Sequence, residues 1–457
     1  MDIVRLYSTQ IAVILQDNKD INLKAIYLDN YRGFHSELIP LHSVNFLVGE
    51  NSTGKTSFLS SLKVLGSHRF WFRPSFDDPD LHFSSFSEIV SKKSNSKRYF
   101  TIGFYDDTDI QSKDESSKKQ PVFRLITFKS EEGLPVVHKY SFLSPLGLVT
   151  TIISDTSLRY KVIECEDCSA QKMLELSVNE HSESRPSGFK KFSKEGFPRQ
   201  LFFANAYQFI VADLAGKDLL KGKDKVTFEI SIDVPECRWI APIRAKPERI
   251  YVSQASDYSP EGNHIPNMLN KLFGKTGSVS SNKISESIKE FGINSGLFDS
   301  VGVKRFGKEA SSPFEVNVNL GGSDLLVSNV GYGVSQVLPI ILEARRKSNA
   351  EYIAIQQPEV HLHPRAQAAL GEFIYQSKDL SNNNFVIETH SDYLIDRFRL
   401  CTNKGECNDA QVLFFERTEI GNKVHSIPID ENGSYPMEQP DSFREFFLNE
   451  ELELLRL

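Results

Sequence analysis

Eight consecutive residues carry the most concentrated chemistry in the chain: Gly49-Glu50-Asn51-Ser52-Thr53-Gly54-Lys55-Thr56. They satisfy G-x-x-x-x-G-K-[ST] in full, and their context agrees, because the apolar run VNFLVG leads in and SFLSSLKVL leads out at helical spacing. The glycines permit a tight loop whose backbone N–H groups converge on phosphate oxygens. The N-terminus of the helix that follows adds partial positive charge. Asn51, Ser52, Thr53 and Gly54 form the loop, and Ser57 continues it into the helix. Lys55 can reach the β- and γ-phosphates, and the Thr56 hydroxyl can ligate Mg²⁺. The expected ligands are therefore ATP and Mg²⁺.

A second set of residues lies far along the chain. Gly331-Tyr332-Gly333-Val334-Ser335-Gln336 precedes an apolar helix, VLPIILEA. Next come the strand YIAIQ, then Gln357-Pro358-Glu359 and Val360-His361-Leu362-His363-Pro364. A further apolar strand, FVIET, delivers His390-Ser391-Asp392. Near the N-terminus, Asn30-Tyr31-Arg32-Gly33-Phe34 precedes the phosphate loop.

This order resembles the ABC-type ATPases of the RecF, SMC and OLD group. The resemblance covers residues 22–75 and 315–420 and implies an α/β fold: an ABC-type P-loop ATPase head with a mixed sheet, a β-rich lobe and an inserted helical segment. It places Arg32 near the nucleotide, although a plain surface-strand arginine reads equally well. It makes Gly331, Gly333, Ser335 and Gln336 a signature turn that closes over the γ-phosphate of a nucleotide held by a second subunit, with a simple helix cap as the alternative. It sets His390 as the switch histidine at the γ-phosphate.

One departure from that pattern matters. Gln356 stands where the Walker-B carboxylate is expected as a metal partner, and Gln357 stands where a catalytic glutamate is often found. An amide cannot take a proton from water and is a poor Mg²⁺ partner. Glu359 is the nearest carboxylate on this turn and is expected to act as base or water-orienting group. The other reading is slow hydrolysis, with ATP as an assembly and signalling ligand. The expected catalytic set is thus Glu359, His390 and Gln357, and the expected metal positions are Thr56 and Gln356.

The elements that must hold these residues follow from texture. Residues 1–75 form the N-terminal part of the ATPase domain, in which 22–75 read as strand, turn, strand, glycine loop and helix, with LKAIYLDNY alternating like a half-buried strand. Residues 76–250 form a β-rich insertion completing the N-terminal lobe, since runs such as YFTIGFY, VFRLITF, RYKVIEC and KVTFEISI alternate with polar stretches. Residues 251–310 form a helical insertion, with the helical pattern running from Asp257 to Phe298. Residues 311–425 alternate strands with helices, which implies a parallel sheet covered on both faces. Residues 426–457 are acidic, and SFREFFLNEELELLRL could form an amphipathic helix that packs on its own domain or docks a partner.

Composition excludes several classes. With 53 basic and 60 acidic residues the net charge is −7, so any DNA contact must be local or made through a complex. The 5 cysteines make no disulfide framework, and Cys165 and Cys168 lack two further zinc ligands at suitable spacing, leaving free thiols. No stretch approaches the ~20 apolar residues of a membrane span, and the first residues lack a basic leader, so a cytoplasmic protein is expected. The segments Ile240-Ala241-Pro242-Ile243-Arg244-Ala245 and Tyr258-Ser259-Pro260-Glu261-Gly262 resemble a bacterial branch of defence-associated ATPases. That resemblance implies a homo-oligomer built through the ATP sites and a separately encoded HNH or Toprim nuclease subunit. Only 67 residues follow His390, too few for a Toprim domain beside the remaining strand. A RecF-like DNA-repair ATPase on duplex DNA is the competing class.

Overall fold

The computed structural model describes residues 24–76, 83, 85–92, 98–107, 121–144, 147–154, 157–165, 168–182, 188–193, 210, 213, 234–252, 257–274, 279–309, 311–346, 351–381, 383–403 and 409–446. Residues 1–23, the strand expected at 225–232 and residues 447–457 lie outside them. The chain divides into two compact units. One comprises residues 1–41, 60–235 and 417–424, and the other residues 42–59, 236–416 and 425–457.

In chain order the described elements begin with β1 (Lys24–Asp29), β2 (Glu37–Leu41) and β3 (Val44–Gly49), then α1 (Lys55–Leu65), α2 (His68–Phe72) and α3 (Phe86–Ile89). β4 (Tyr99–Asp106), β5 (Val122–Glu131), β6 (Leu134–Ser144), β7 (Gly147–Ile153) and β8 (Ser157–Ile163) follow, then α4 (Ala170–Ser182) and β9 (Lys190–Ser193). Next are β10 (Cys237–Ile240), α5 (Ile265–Gly274), α6 (Val279–Ser295), β11 (Ser300–Arg305), β12 (Phe314–Leu320) and β13 (Ser323–Leu326). The last are α7 (Tyr332–Arg345), β14 (Tyr352–Gln356), α8 (Pro364–Ser381), β15 (Asn384–Glu388), α9 (Asp392–Thr402), β16 (Ala410–Arg417) and β17 (Asn422–Ile429).

The first unit carries an eight-stranded sheet in the order β2-β1-β4-β5-β6-β7-β8-β9 among the described residues. Its pairs are antiparallel. The β5–β6 hairpin turns at Glu132 and Gly133, both at positive φ (50° and 82°), which matches the twist of the flanking strands. β1 is more deeply placed than its alternation suggests. Ala25 and Tyr27 cluster with Met173 and Leu174 of α4, and Ile26 and Leu28, which period 2 puts on the opposite face, are also fully buried. Both faces of β1 are therefore covered, which alternation along the strand does not report.

The second unit is built on a six-stranded sheet, β10-β14-β15-β3-β16-β17. The four pairs from β10 through β14, β15 and β3 to β16 are parallel. Every residue of β3 and of β14 is buried, as expected for apolar strands covered on both faces. Parallel strands bring their C-terminal ends to one edge, which is where α/β folds place their sites. Helices α8 and α9 approach closely at Gly371, where a Cβ would lie 2.1 Å from the Leu394 carbonyl oxygen. β11 lies within the insertion expected at 251–310 but beyond the helical pattern that ends at Phe298, and pairs with β12 in a three-stranded sheet. Its short β-branched run, SVGVKR, suits that role. Residues 441–446 are helical, and Phe443 and Phe446 pack against Phe414 at 5.4 and 5.8 Å between ring centres. This part of the acidic segment therefore lies on its own unit. Among the described residues no helix is long and apolar enough to cross a membrane.

Candidate functional site

The phosphate loop emerges from β3 and ends at the first residue of α1. Its backbone is bent as phosphate cradling requires: Gly49, Ser52 and Gly54 all have positive φ, at 142°, 64° and 105°. Gly49 has no room for a side chain, since a Cβ would meet the Phe415 carbonyl oxygen at 2.3 Å. The Thr53 hydroxyl donates to the Glu50 carbonyl at 2.8 Å and pins the loop from within. The Phe58 N–H to Gly54 carbonyl bond, 2.9 Å, joins the loop to α1. Lys55 is buried (4% exposed) and donates from Nζ to the carbonyls of Gly49 at 2.7 Å and Glu50 at 2.8 Å. Burial pulls its ammonium below the ordinary lysine range, and Glu388 and Glu50 partly offset this. Asn51, Ser52 and Thr56 are exposed, and Ser57 is half-buried.

Beside Thr56 lies a carboxylate absent from the expected set. Glu388, at the end of β15, is buried, and the Thr56 Oγ1 stands 3.3 and 3.4 Å from its two carboxylate oxygens. Gln356 is the register partner of Glu388 on β14. Its Nε2 donates to Glu388 Oε2 at 2.8 Å. Hydroxyl and carboxylate oxygens are the hard donors Mg²⁺ takes, so the residues present fit that ion. The Gln356 amide is here turned to the carboxylate.

The turn after β14 connects this edge to His390. Gln357 and His361 have left-handed backbones (φ 42° and 65°), a conformation costing roughly 1–2 kcal/mol each for a side-chain-bearing residue. The Gln357 N–H donates to the Glu388 carbonyl at 2.7 Å and extends the strand pairing by one residue. Both oxygens of Glu359 are engaged, Oε1 by the His390 N–H and Oε2 by the Thr389 hydroxyl, each at 2.8 Å. His390 itself is exposed. Ser391 caps α9 by accepting the Leu394 N–H at 3.1 Å, and donates to Gln367 Oε1 at 2.6 Å.

The Gly331–Gln336 turn opens α7, with Gly331 as its cap residue. Gly333 packs on the turn after β14, since a Cβ there would meet the His361 carbonyl oxygen at 2.9 Å. The Tyr332 ring lies 5.7 Å from the His361 imidazole. Ser335 Oγ donates to the Tyr332 carbonyl at 2.8 Å, and Gln336 is buried. Gly331 and Tyr332 are exposed. Arg32 belongs to the other compact unit, where it donates to the Glu88 carbonyl at 3.0 Å and lies 4.7 Å over the Phe83 ring.

Two residues of this edge escape motif reading. Glu388 closes an apolar strand directly before Thr389-His390, and an acidic residue at the C-terminal end of a parallel strand is the signal that could have found it. Arg244 is the other. It is 4% exposed and donates from Nη2 to the Gln356 carbonyl at 3.0 Å, while its Nε and Nη1 are buried with no hydrogen-bond partner. Burial pulls the guanidinium down to about 10, against the opposing influence of Glu359. Its signal was the Ile240–Ala245 segment as a whole; nothing in the residue type singled it out.

Comparison with known proteins bears on this geometry. A family model described as "AAA ATPase domain" matches residues 22–203 and 243–395, well over half of the chain. No curated protein matches the sequence. Among solved structures, an Smc head bound to the C-winged helix domain of ScpA aligns at 10% identity over 90% of this chain and 99% of that one, with a TM-score of 0.46. An Smc head with an extended coiled coil, bound to the C-terminal domain of ScpA derived from Pyrococcus furiosus, aligns at 10% identity over 95% and 98%, TM-score 0.42. The SMC head domain from Thermotoga maritima aligns at 10% identity over 90% and 100%, TM-score 0.39.

Proposed function

The chain belongs to the AAA ATPase domain family, and from that premise we propose that it is the ATP-binding subunit of a bacterial anti-phage defence complex. Two copies pair through their nucleotides, and the pair controls a separately encoded nuclease of HNH or Toprim type. The motif order and the two segments at 240–245 and 258–262 resemble PtuA, the ATPase of the Septu system, with AriA of PARIS as the neighbouring type. The observation that carries the nucleotide reading is the loop itself, with three positive-φ residues and a buried lysine at its base.

In this reading the 49–56 loop and Lys55 hold the β- and γ-phosphates. Mg²⁺, when bound, neutralises phosphate charge, and Thr56 offers it one oxygen. The exposed Gly331 and Tyr332 face a second copy, whose loop they cover. His390 reads the γ-phosphate, and Glu359 positions it through the backbone N–H it accepts. With glutamine at both 356 and 357, hydrolysis is slow or conditional, and ATP acts chiefly as an assembly ligand.

The test is sizing of the wild-type chain with and without ATP, followed by co-purification with the nuclease encoded beside it. ATP-dependent pairing and a stable nuclease complex are expected. A monomer at saturating ATP would remove the paired-site reading. Tight, steeply salt-dependent binding to duplex DNA with no protein partner would replace it with the DNA-repair class.

A further inference from the structure

Gln356 leaves the ATP site without a carboxylate at the end of β14, yet the sheet supplies one a single strand away. β15 lies between β14 and β3, the strand that feeds the phosphate loop. Glu388 is paired in register with Gln356 on one side and Leu47 on the other. It therefore ends at the level of the missing group and one strand closer to the loop. Its two oxygens stand nearly equidistant from Thr56 Oγ1, at 3.3 and 3.4 Å, at the long edge of hydrogen bonding. The Gln356 Nε2 bond of 2.8 Å fixes the carboxylate's orientation. A carboxylate buried to 6% exposure needs a cation close by. Lys55 acts on it electrostatically, but the Lys55 Nζ donates its hydrogen bonds to the Gly49 and Glu50 carbonyls.

We infer that Glu388 is the metal carboxylate of this ATPase, holding Mg²⁺ together with Thr56 and the phosphates, and that Gln356 positions it. The inference rests on the ATP-binding reading and deepens it. Mg²⁺ commonly binds through one or two carboxylates plus substrate phosphates, so a single well-placed glutamate suffices. The exchange also gives Gln356 a purpose. A glutamate at 356 would set two carboxylates against each other, whereas the amide donates to the one that remains.

The experiment measures ATP affinity of the full chain by calorimetry in Mg²⁺ and in EDTA, for wild type and Glu388→Gln. Mg²⁺ should tighten ATP binding by wild type. In Glu388→Gln that increment should fall at least about tenfold, the lower end of what losing a metal-site partner costs, while the affinity in EDTA stays at the wild-type value because the Lys55 loop is intact. A retained Mg²⁺ increment overturns the inference. So does an equal loss in EDTA and in Mg²⁺ by a variant with wild-type circular dichroism, since Glu388 would then be supporting the loop and not the ion. Should Glu388→Gln fail to fold, Glu388→Asp carries the test. It keeps the charge but ends about 1.5 Å short, so its increment should shrink, and an unchanged increment overturns the inference. A wild-type chain that binds no ATP in either buffer refutes the ATP reading itself, an outcome distinct from the others.

Discussion

Glu359 is the residue whose role the structure makes most measurable. Replacing it with alanine removes the acceptor for the His390 N–H and the Thr389 hydroxyl, both at 2.8 Å. Hydrogen bonds to a charged acceptor contribute roughly 1.5–3 kcal/mol each. The His390 side of the turn is open to water, so the freed His390 N–H is resolvated and costs little, whereas the fully buried Thr389 hydroxyl keeps a loss at the low end of that range, giving about 2 kcal/mol in all. That corresponds to about 30-fold more frequent opening of the turn. Glu359→Gln should lie between, because its carbonyl oxygen still accepts one donor and its NH₂ accepts none, giving roughly half the loss and about fivefold. Hydrogen exchange at the His390 amide reads this directly, with rates rising in the order wild type, Gln, Ala. A His390 amide exchanging at the wild-type rate in Glu359→Ala would refute the reasoning. Hydrolysis separates positioning from chemistry. If Glu359 acts through His390, adding His390→Ala to Glu359→Ala costs little more, whereas additive losses would mean that Glu359 works on water independently.

Lys55→Ala should lose ATP binding by at least about a hundredfold, two charge-assisted contacts' worth. It should also lose the stabilisation of about 2.7 kcal/mol expected of wild type at a hundredfold excess of ATP over Kd, both visible in thermal melts. Ser335→Arg should abolish ATP-dependent pairing in sizing experiments while leaving ATP affinity intact; unaltered pairing would take the 331–336 turn out of the interface. Gly371→Ala should destabilise by about 1–3 kcal/mol in urea titration, because the added Cβ meets a backbone oxygen at 2.1 Å, reversing the ~1 kcal/mol that a helix normally gains from this change. Asp409 gives a pH dependence. Burial alone would raise its carboxyl, but His42 and the Ser43 hydroxyl and N–H together hold it at about 2, below the ordinary 3.8. Its stabilisation is complete above pH 3.8 and disappears as pH falls through about 2. With the side chain 49% exposed, it is worth no more than about 1 kcal/mol. Asp409→Asn should therefore lower the urea midpoint at pH 6 and match wild type near pH 2.

What could be read in advance was what depends on neighbours in sequence. The phosphate loop is a local conformation of eight residues, and its glycines announce it. The strand–helix alternation after residue 311 likewise announces a parallel sheet. The site's other half depends on which strands become neighbours. Glu388 matters because β15 settles between β14 and β3, and residues more than 330 positions apart, Thr56 and Glu388, then share a site. Arg244 joins through the β10–β14 pairing, which no motif encodes. The depth of β1 failed to show for the same reason: alternation reports two faces, and only the finished sheet decides whether both are covered.

The short segment from Gln357 to Leu362 touches three things at once. Its first residue is bonded to the strand of Glu388, its glutamate grips the Thr389–His390 turn, and its histidine carbonyl abuts Gly333. Two left-handed residues stiffen it, so it transmits displacement instead of absorbing it. A docked second copy pressing on the exposed Gly331 and Tyr332, the latter packed on the His361 ring, would thereby shift His390 in the first. Filling one nucleotide site of such a pair would alter the affinity of the other, and titration with ATP would follow a Hill coefficient different from one.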